Sequence, residues 1–176
     1  MRWITDREDA ERTLADAREC AASDDANSAD PGLVRLTFED IEVMAAGFFS
    51  LPKKLMVLSD EPTFRYIVLK PDPVTYFFVH FGKYSIIEFS REDSQESYTA
   101  ALNEDPGGSP ADALIFNWSE YVILSSSKKW FIHGVRTDRS GTGARLFVPG
   151  AWVNEVKSVK SHFHTDEETM DQPRTQ

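Results

Sequence analysis

The chain has 176 residues, of which 41% are hydrophobic and 12% aromatic; this is the length of one ordinary domain, with enough apolar material for a core and too much for a disordered segment. Its formal net charge of -10 and pI near 4.8 make it repel phosphate backbones, which argues against nucleic-acid binding and suits a basic protein surface. A single cysteine, Cys20, excludes an internal disulfide and a cysteine-based metal site, the opening residues lack the apolar run of a signal peptide, and no apolar stretch reaches bilayer length, so a cytoplasmic chain without a membrane segment is expected.

In chain order, Thr5 and Glu8 fit a Thr-x-x-Glu capping box that opens a helix over residues 9–20. Ile4, Ala10, Leu14 and Ala17 give it only a thin apolar stripe, so a short helix packed loosely on the domain is predicted. Residues 21–32 offer small, polar and turn-forming side chains, and 1–32 reads as an N-terminal helix with a mobile connection. Thr37, with Asp40 three positions on, opens a second predicted helix on Ile41, Met44, Ala45, Phe48 and Phe49, stopped by Pro52 and assigned as the core helix. Residues 54–59, 63–70, 74–81 and 84–90 are rich in Val, Ile, Tyr and Phe. Their short connections can join only antiparallel neighbours, so they read as a four-strand meander.

Residues 92–103, with Tyr98 and Leu102 four apart, read as a surface helix, 105–110 as a loop and 110–117 as a further short helix opened by Pro110. Residues 121–125, 130–135 and 144–148 read as a three-strand meander with Trp130 as the buried anchor of its first hairpin. Val153, Val156 and Val159 make 151–160 a closing helix. Residues 33–161 are thus one core domain and 162–176 a polar tail. The expected fold class is α+β, a single curved antiparallel sheet of about seven strands with helices packed on one face.

The residues that could carry chemistry are scattered. His80 is placed on a strand face with Tyr76 and Phe78, and His133 on one with Phe131; each reads as a polar residue on a sheet, since no nucleophile with an orienting partner accompanies either. His162 and His164, near Asp166, Glu167 and Glu168, are metal-ligating types in a tail too polar to hold a geometry. Ser140-Gly141-Thr142-Gly143 reads as a hairpin turn, because a strand follows it where a phosphate loop needs a helix. The carboxylates cluster in solvated runs. No catalytic residue, metal or cofactor is predicted.

The segment 116–134, Phe-Asn-Trp-Ser-Glu-Tyr-Val-Ile-Leu-Ser-Ser-Ser-Lys-Lys-Trp-Phe-Ile-His-Gly, ends one strand in small polar residues and follows it with Lys-Trp and an aliphatic-x-Gly strand. It resembles the C-terminal hairpin of small bacterial immunity proteins of polymorphic toxin systems. That resemblance implies a non-catalytic toxin inhibitor, with no catalytic residue to carry over. The charge agrees with it, since an acidic inhibitor is steered to the basic cleft of a nuclease toxin. Residues 1–30 hold nine acids against four arginines, and 121–161 hold seven basic residues against two acids, so a basic edge at the hairpin turns is expected. The predicted partner-binding residues are Glu92, Asp93, Glu96, Glu104 and Asp105, in the insert between the two strand groups, where loops tend to carry function. Two other readings stay open: a small ligand-binding or regulatory domain holding an apolar ligand on Phe64, Tyr66, Tyr76, Phe78 and Phe81, and an enzyme of unrecognised class.

Overall fold

The computed structural model describes residues 1–25, 32–39, 43, 45, 47–104, 118–136, 143–159 and 164–165. The expected loop at 105–110, the short helix at 110–117, residues 140–142 of the expected 140–143 turn and the tail beyond 165 lie outside these residues, while Gly143 opens β7 (Gly143–Pro149).

The fold is α+β, built on one antiparallel sheet. Its strands are β1 (Arg2–Trp3), β2 (Leu33–Glu39), β3 (Thr63–Lys70), β4 (Ile86–Ser90), β5 (Glu120–Ser125), β6 (Phe131–Val135), β7 (Gly143–Pro149) and β8 (His164–Thr165). The spatial order is β1-β4-β3-β5-β6-β7-β2-β8, with two-residue pieces at both edges. The β5-β6-β7 meander forms as expected, and β3 has the bounds the sequence indicates.

Elsewhere the local patterns mislead. Residues 37–39 do not open a core helix: Leu33 to Glu39 form β2, paired along its whole length with β7. The core helix is α2 (Ser50–Ser59), which covers the segment expected to be the first strand of the meander. Pro52 does not stop a helix; it sits in the first turn of α2, where no intrahelical N–H is required of it. Residues 74–81 are also not a strand. Asp72 accepts hydrogen bonds from the N–H groups of Val74 (2.9 Å) and Thr75 (2.7 Å) and so opens a wide helical turn, Pro73–Phe78, that runs into α3 (Val79–Phe81). Gly82, at φ +66°, ends it in the left-handed region.

The two faces of the sheet carry separate cores. On one, Tyr66, Ile87, Phe89, Ile123, Ile132 and Leu146 meet Leu51, Leu55 and Met56 of α2, Tyr98 and Leu102 of α4 (Gln95–Asn103), and Val156 of α5 (Val153–Val159). Trp130 is fully buried here, as expected, and Tyr98 is anchored by donating its hydroxyl to the Val43 carbonyl (3.1 Å). On the other face α1 (Arg7–Asp25) lies against Ile67, Ile86, Val122, Leu124, Phe131 and Phe147. Its thin stripe is closely packed rather than loose: Ala10 and Ala17 are 0% exposed and Leu14 2%. Its cap is Asp6 rather than Thr5, the Asp6 carboxylate accepting the Asp9 N–H at 2.8 Å.

Candidate functional site

Four of the five acids expected to meet a partner, Glu92, Asp93, Glu96 and Glu104, lie among the described residues, at or near the two ends of α4. Asp93 accepts from the Met1 amine (2.7 Å), the Ser90 N–H (2.8 Å) and the Ser90 hydroxyl (3.1 Å). Burial alone would raise its pKa, but these hydrogen bonds hold it below the usual carboxylate range. Glu104 lies 3.7 Å from the Lys83 ammonium, just past the C-terminal end of α4. Glu92 and Glu96 are exposed near the other end of α4, with no ion pair among the described residues. Glu96 stands in the first turn, where the helix dipole favours a carboxylate, and a hydrogen bond with Ser94 lowers its pKa further. Asp105 lies outside the described residues.

His80 and His133 lie in two different environments. His80 is not on a strand: it is exposed on α3, its ring edge-on to Tyr76 at 5.5 Å. His133 does lie on β6 beside Phe131, and it is fully buried. Its Nδ1 is 2.6 Å from Asp24 Oδ2 of α1, and its Nε2 is 3.5 Å from Glu120 Oε1 of β5. Asp24 Oδ2 also lies 2.8 Å from Arg145 Nε on β7. Both imidazole nitrogens face carboxylates, so the histidine ties α1 to β5 and β6. Sequence reasoning missed this pair because 109 positions separate its members and nothing local marks Asp24 among the acids around it.

Asp24 is one of several α1 acids that dock onto the sheet's basic residues. Near the start of the helix, the Arg65 guanidinium donates to both oxygens of Asp9 (2.8 and 2.9 Å), to Glu88 Oε2 (2.9 Å) and to the Thr13 hydroxyl. In its middle, Asp16 (3.0 Å) and Glu19 (2.8 Å) hold Lys128. Lys128 belongs to the β5–β6 turn and adopts φ +56°, in the left-handed region a lysine seldom occupies. The acidic α1 and part of the basic hairpin region thus meet each other within the fold.

This network has a pH signature. The Arg65 hydrogen bond holds the Asp9 carboxyl below the usual range; Glu88 is also held low, its hydrogen bonds from Arg2 and Arg65 outweighing its burial. Folded, the two carboxyls bind protons less readily than unfolded, so their contribution is complete above the ordinary carboxylate pKa of about 4 and is lost as pH falls through the folded values. Arg65→Met is therefore expected to cost roughly 2 kcal/mol near neutral pH and less near pH 3, below the ordinary carboxylate pKa, as its partners begin to take up protons. Urea titrations at the two pH values check this; an equal cost at both shows that Arg65 acts through packing alone.

Two further surface features remain. Val74, Phe78 and Val79 are 40%, 39% and 70% exposed on the segment 73–81, so three of the large exposed apolar side chains share one short helical stretch. A cleft of about 600 Å³ opens between the C-terminal half of α1 and the starts of β2 and β6, floored by Leu33, Phe131 and Pro149 and rimmed by Glu19, Lys128 and Lys129. Cys20 reaches its wall, and burial pushes its thiol pKa up to about 11, away from reactivity. By contrast, Phe64 and Tyr66, two of the aromatics considered for an apolar ligand, are core residues at 1% and 0% exposure. Among the described residues no group of His, Cys, Asp and Glu is arranged to hold a metal, and no helix is long and apolar enough to cross a membrane. No family model, curated protein or solved structure matches this chain, so its function is read from its own residues.

Proposed function

We propose that the protein acts by binding a basic protein, as an immunity-type inhibitor of a toxin does, and that its partner meets the acidic outer surface. The observation that carries this reading is the pairing of many, though not all, of its cations within the fold: Lys53, Lys129 and Arg136 lie in no ion pair among the described residues. Arg2, Arg65, Lys83, Lys128 and Arg145 all lie in ion pairs within the fold, while Glu8, Glu92 and Glu96 are exposed without one among the described residues. The net charge of -10 therefore projects outward as an acidic field that steers a basic partner and slows an acidic one. The hairpin resemblance at 116–134 points the same way.

The test is association with the protein recovered from the native host, followed by surface plasmon resonance at low and high salt. Glu92→Lys with Glu96→Lys is expected to slow association about tenfold at low salt, and the difference should shrink as salt screens exposed charges. Asp93 is left unchanged because its carboxylate holds Met1 and Ser90. Equal, salt-independent rates for both proteins overturn the acidic-surface reading, and recovery of no protein partner overturns the function itself. The cleft beside α1 favours a second reading, a small amphipathic ligand, and native mass spectrometry showing a retained small molecule would support that instead.

A further inference from the structure

We propose that α1 is a releasable strap, a helix that detaches from the sheet as one unit while the α2–α4–α5 side of the sheet stays folded. The two cores share no side chain, and the sheet stands between them. What α1 itself contributes to its core is mostly small: Ala10, Ala17, Ala21 and Cys20, with Leu14 the one large apolar residue of the helix in that core. The opposite face is closed by Phe49, Leu51, Leu55, Met56 and Tyr98. Resistance to local opening follows the apolar area an element buries, so α1 is the layer that opens first.

Its polar attachments are mainly ionic, at Arg65, Lys128 and the Asp24 cluster, with Arg18 a further 3.7 Å from Asp72. Water replaces much of what such contacts supply, so they fix where the helix docks more than how strongly. The Asp24 cluster is also incompletely satisfied. Among the described residues, Asp24 Oδ1, 3.8 Å from the Arg35 guanidinium, and His133 Nε2, 3.5 Å from Glu120 Oε1, are buried without a hydrogen-bond partner. Ionic groups desolvated in this way oppose docking, and release rehydrates them. The left-handed Lys128 adds a second strained element that serves the docked state. Release uncovers Ile67, Val122, Leu124 and Phe131 together with the basic side chains of Arg65, Lys128 and Arg145, which turns an acidic face into an apolar one with a basic margin. Raised ionic strength, which screens the exposed pairs, favours the open form.

Native-state hydrogen exchange on the full chain tests this. The α1 amides from Leu14 to Ala21 are expected to share one opening, with protection at least about tenfold below that of β5 and β6, and to lose protection in high salt while the strands keep theirs. Lys128→Gln should lower α1 protection several-fold without changing the strands, and Lys54→Gln, which breaks the ion pair with Glu155 on the other face, should leave α1 unchanged. Alkylation of Cys20 gives an independent readout and should quicken in Lys128→Gln. Loss of the lysine's charge would by itself raise the thiol pKa and slow that reaction, so acceleration reports exposure. Two outcomes overturn the strap: α1 amides that exchange only together with the strands, or α1 amides that fray one by one and ignore Lys128→Gln.

Discussion

Gly134→Ala is expected to destabilise the protein by roughly 3 kcal/mol, a large effect for one methyl group. Across the sheet Val68, Tyr121, Gly134, Ala144 and Phe38 stand in one row of paired positions. Small residues at its centre leave room for the Tyr121 ring to lie over Gly134. A Cβ there would sit 2.2 Å from two Tyr121 ring atoms. The ring cannot swing away, because it stacks on Tyr66 at 5.2 Å and meets Trp118 edge-on at 4.6 Å, and all three are buried. Urea unfolding measures the loss. Adding Tyr121→Val should make the double variant lose less than the sum of the two singles, since the clash disappears with the ring. Additive costs would mean that Gly134 matters for its backbone and not for the space it leaves.

Trp130→Ala is expected to cost about 3–5 kcal/mol, the range for deleting a buried large aromatic. Trp130 is 0% exposed, lies 6.1 Å from the Phe64 ring and donates its indole N–H to the Ser59 hydroxyl at 3.3 Å, joining the β5–β6 hairpin to the end of α2. Ser59 in turn donates to the Leu55 carbonyl at 2.8 Å. Trp130→Phe keeps part of the ring volume and should fall between wild type and alanine, while Ser59→Ala should cost about 1–2 kcal/mol by removing the hydroxyl that accepts from Trp130 and donates to Leu55. Unfolding curves for the three variants decide the point. A Trp130→Ala protein with an unchanged midpoint and lost partner binding would move this residue from the core to the contact surface.

The two variants act on the same core, the one that excludes α1. In both, α1 exchange should change no more than that of the strands, whereas Lys128→Gln should act on α1 alone. That contrast separates loss of the whole fold from release of one layer.

Where one segment's pattern has a single physical solution, the sequence alone determined the structure. The β5-β6-β7 meander is legible because short Val, Ile, Leu and Phe runs alternate with turn residues, and hairpins between sequence neighbours need no long-range information. β3, α5, the burial of Trp130 and the α+β class follow from the same local signals. Only the tertiary structure decided the rest, for three reasons. Ile41, Met44, Ala45 and Phe48 recur at helical spacing, yet the Leu-Val-Arg-Leu-Thr-Phe-Glu stretch just before them is drawn into the sheet by its ladder with β7, a partner over a hundred positions away. The aromatic run 74–81 has strand composition, but the Asp72 side chain satisfies the first free N–H groups of a helical turn and only Phe77 of that run is buried deeply. For α1, composition shows the acids and a thin apolar stripe. It cannot show that Arg65, Lys128, His133 and Arg145 converge on those acids from three parts of the chain, because ion pairing carries no sequence periodicity and depends on which strands the sheet places side by side.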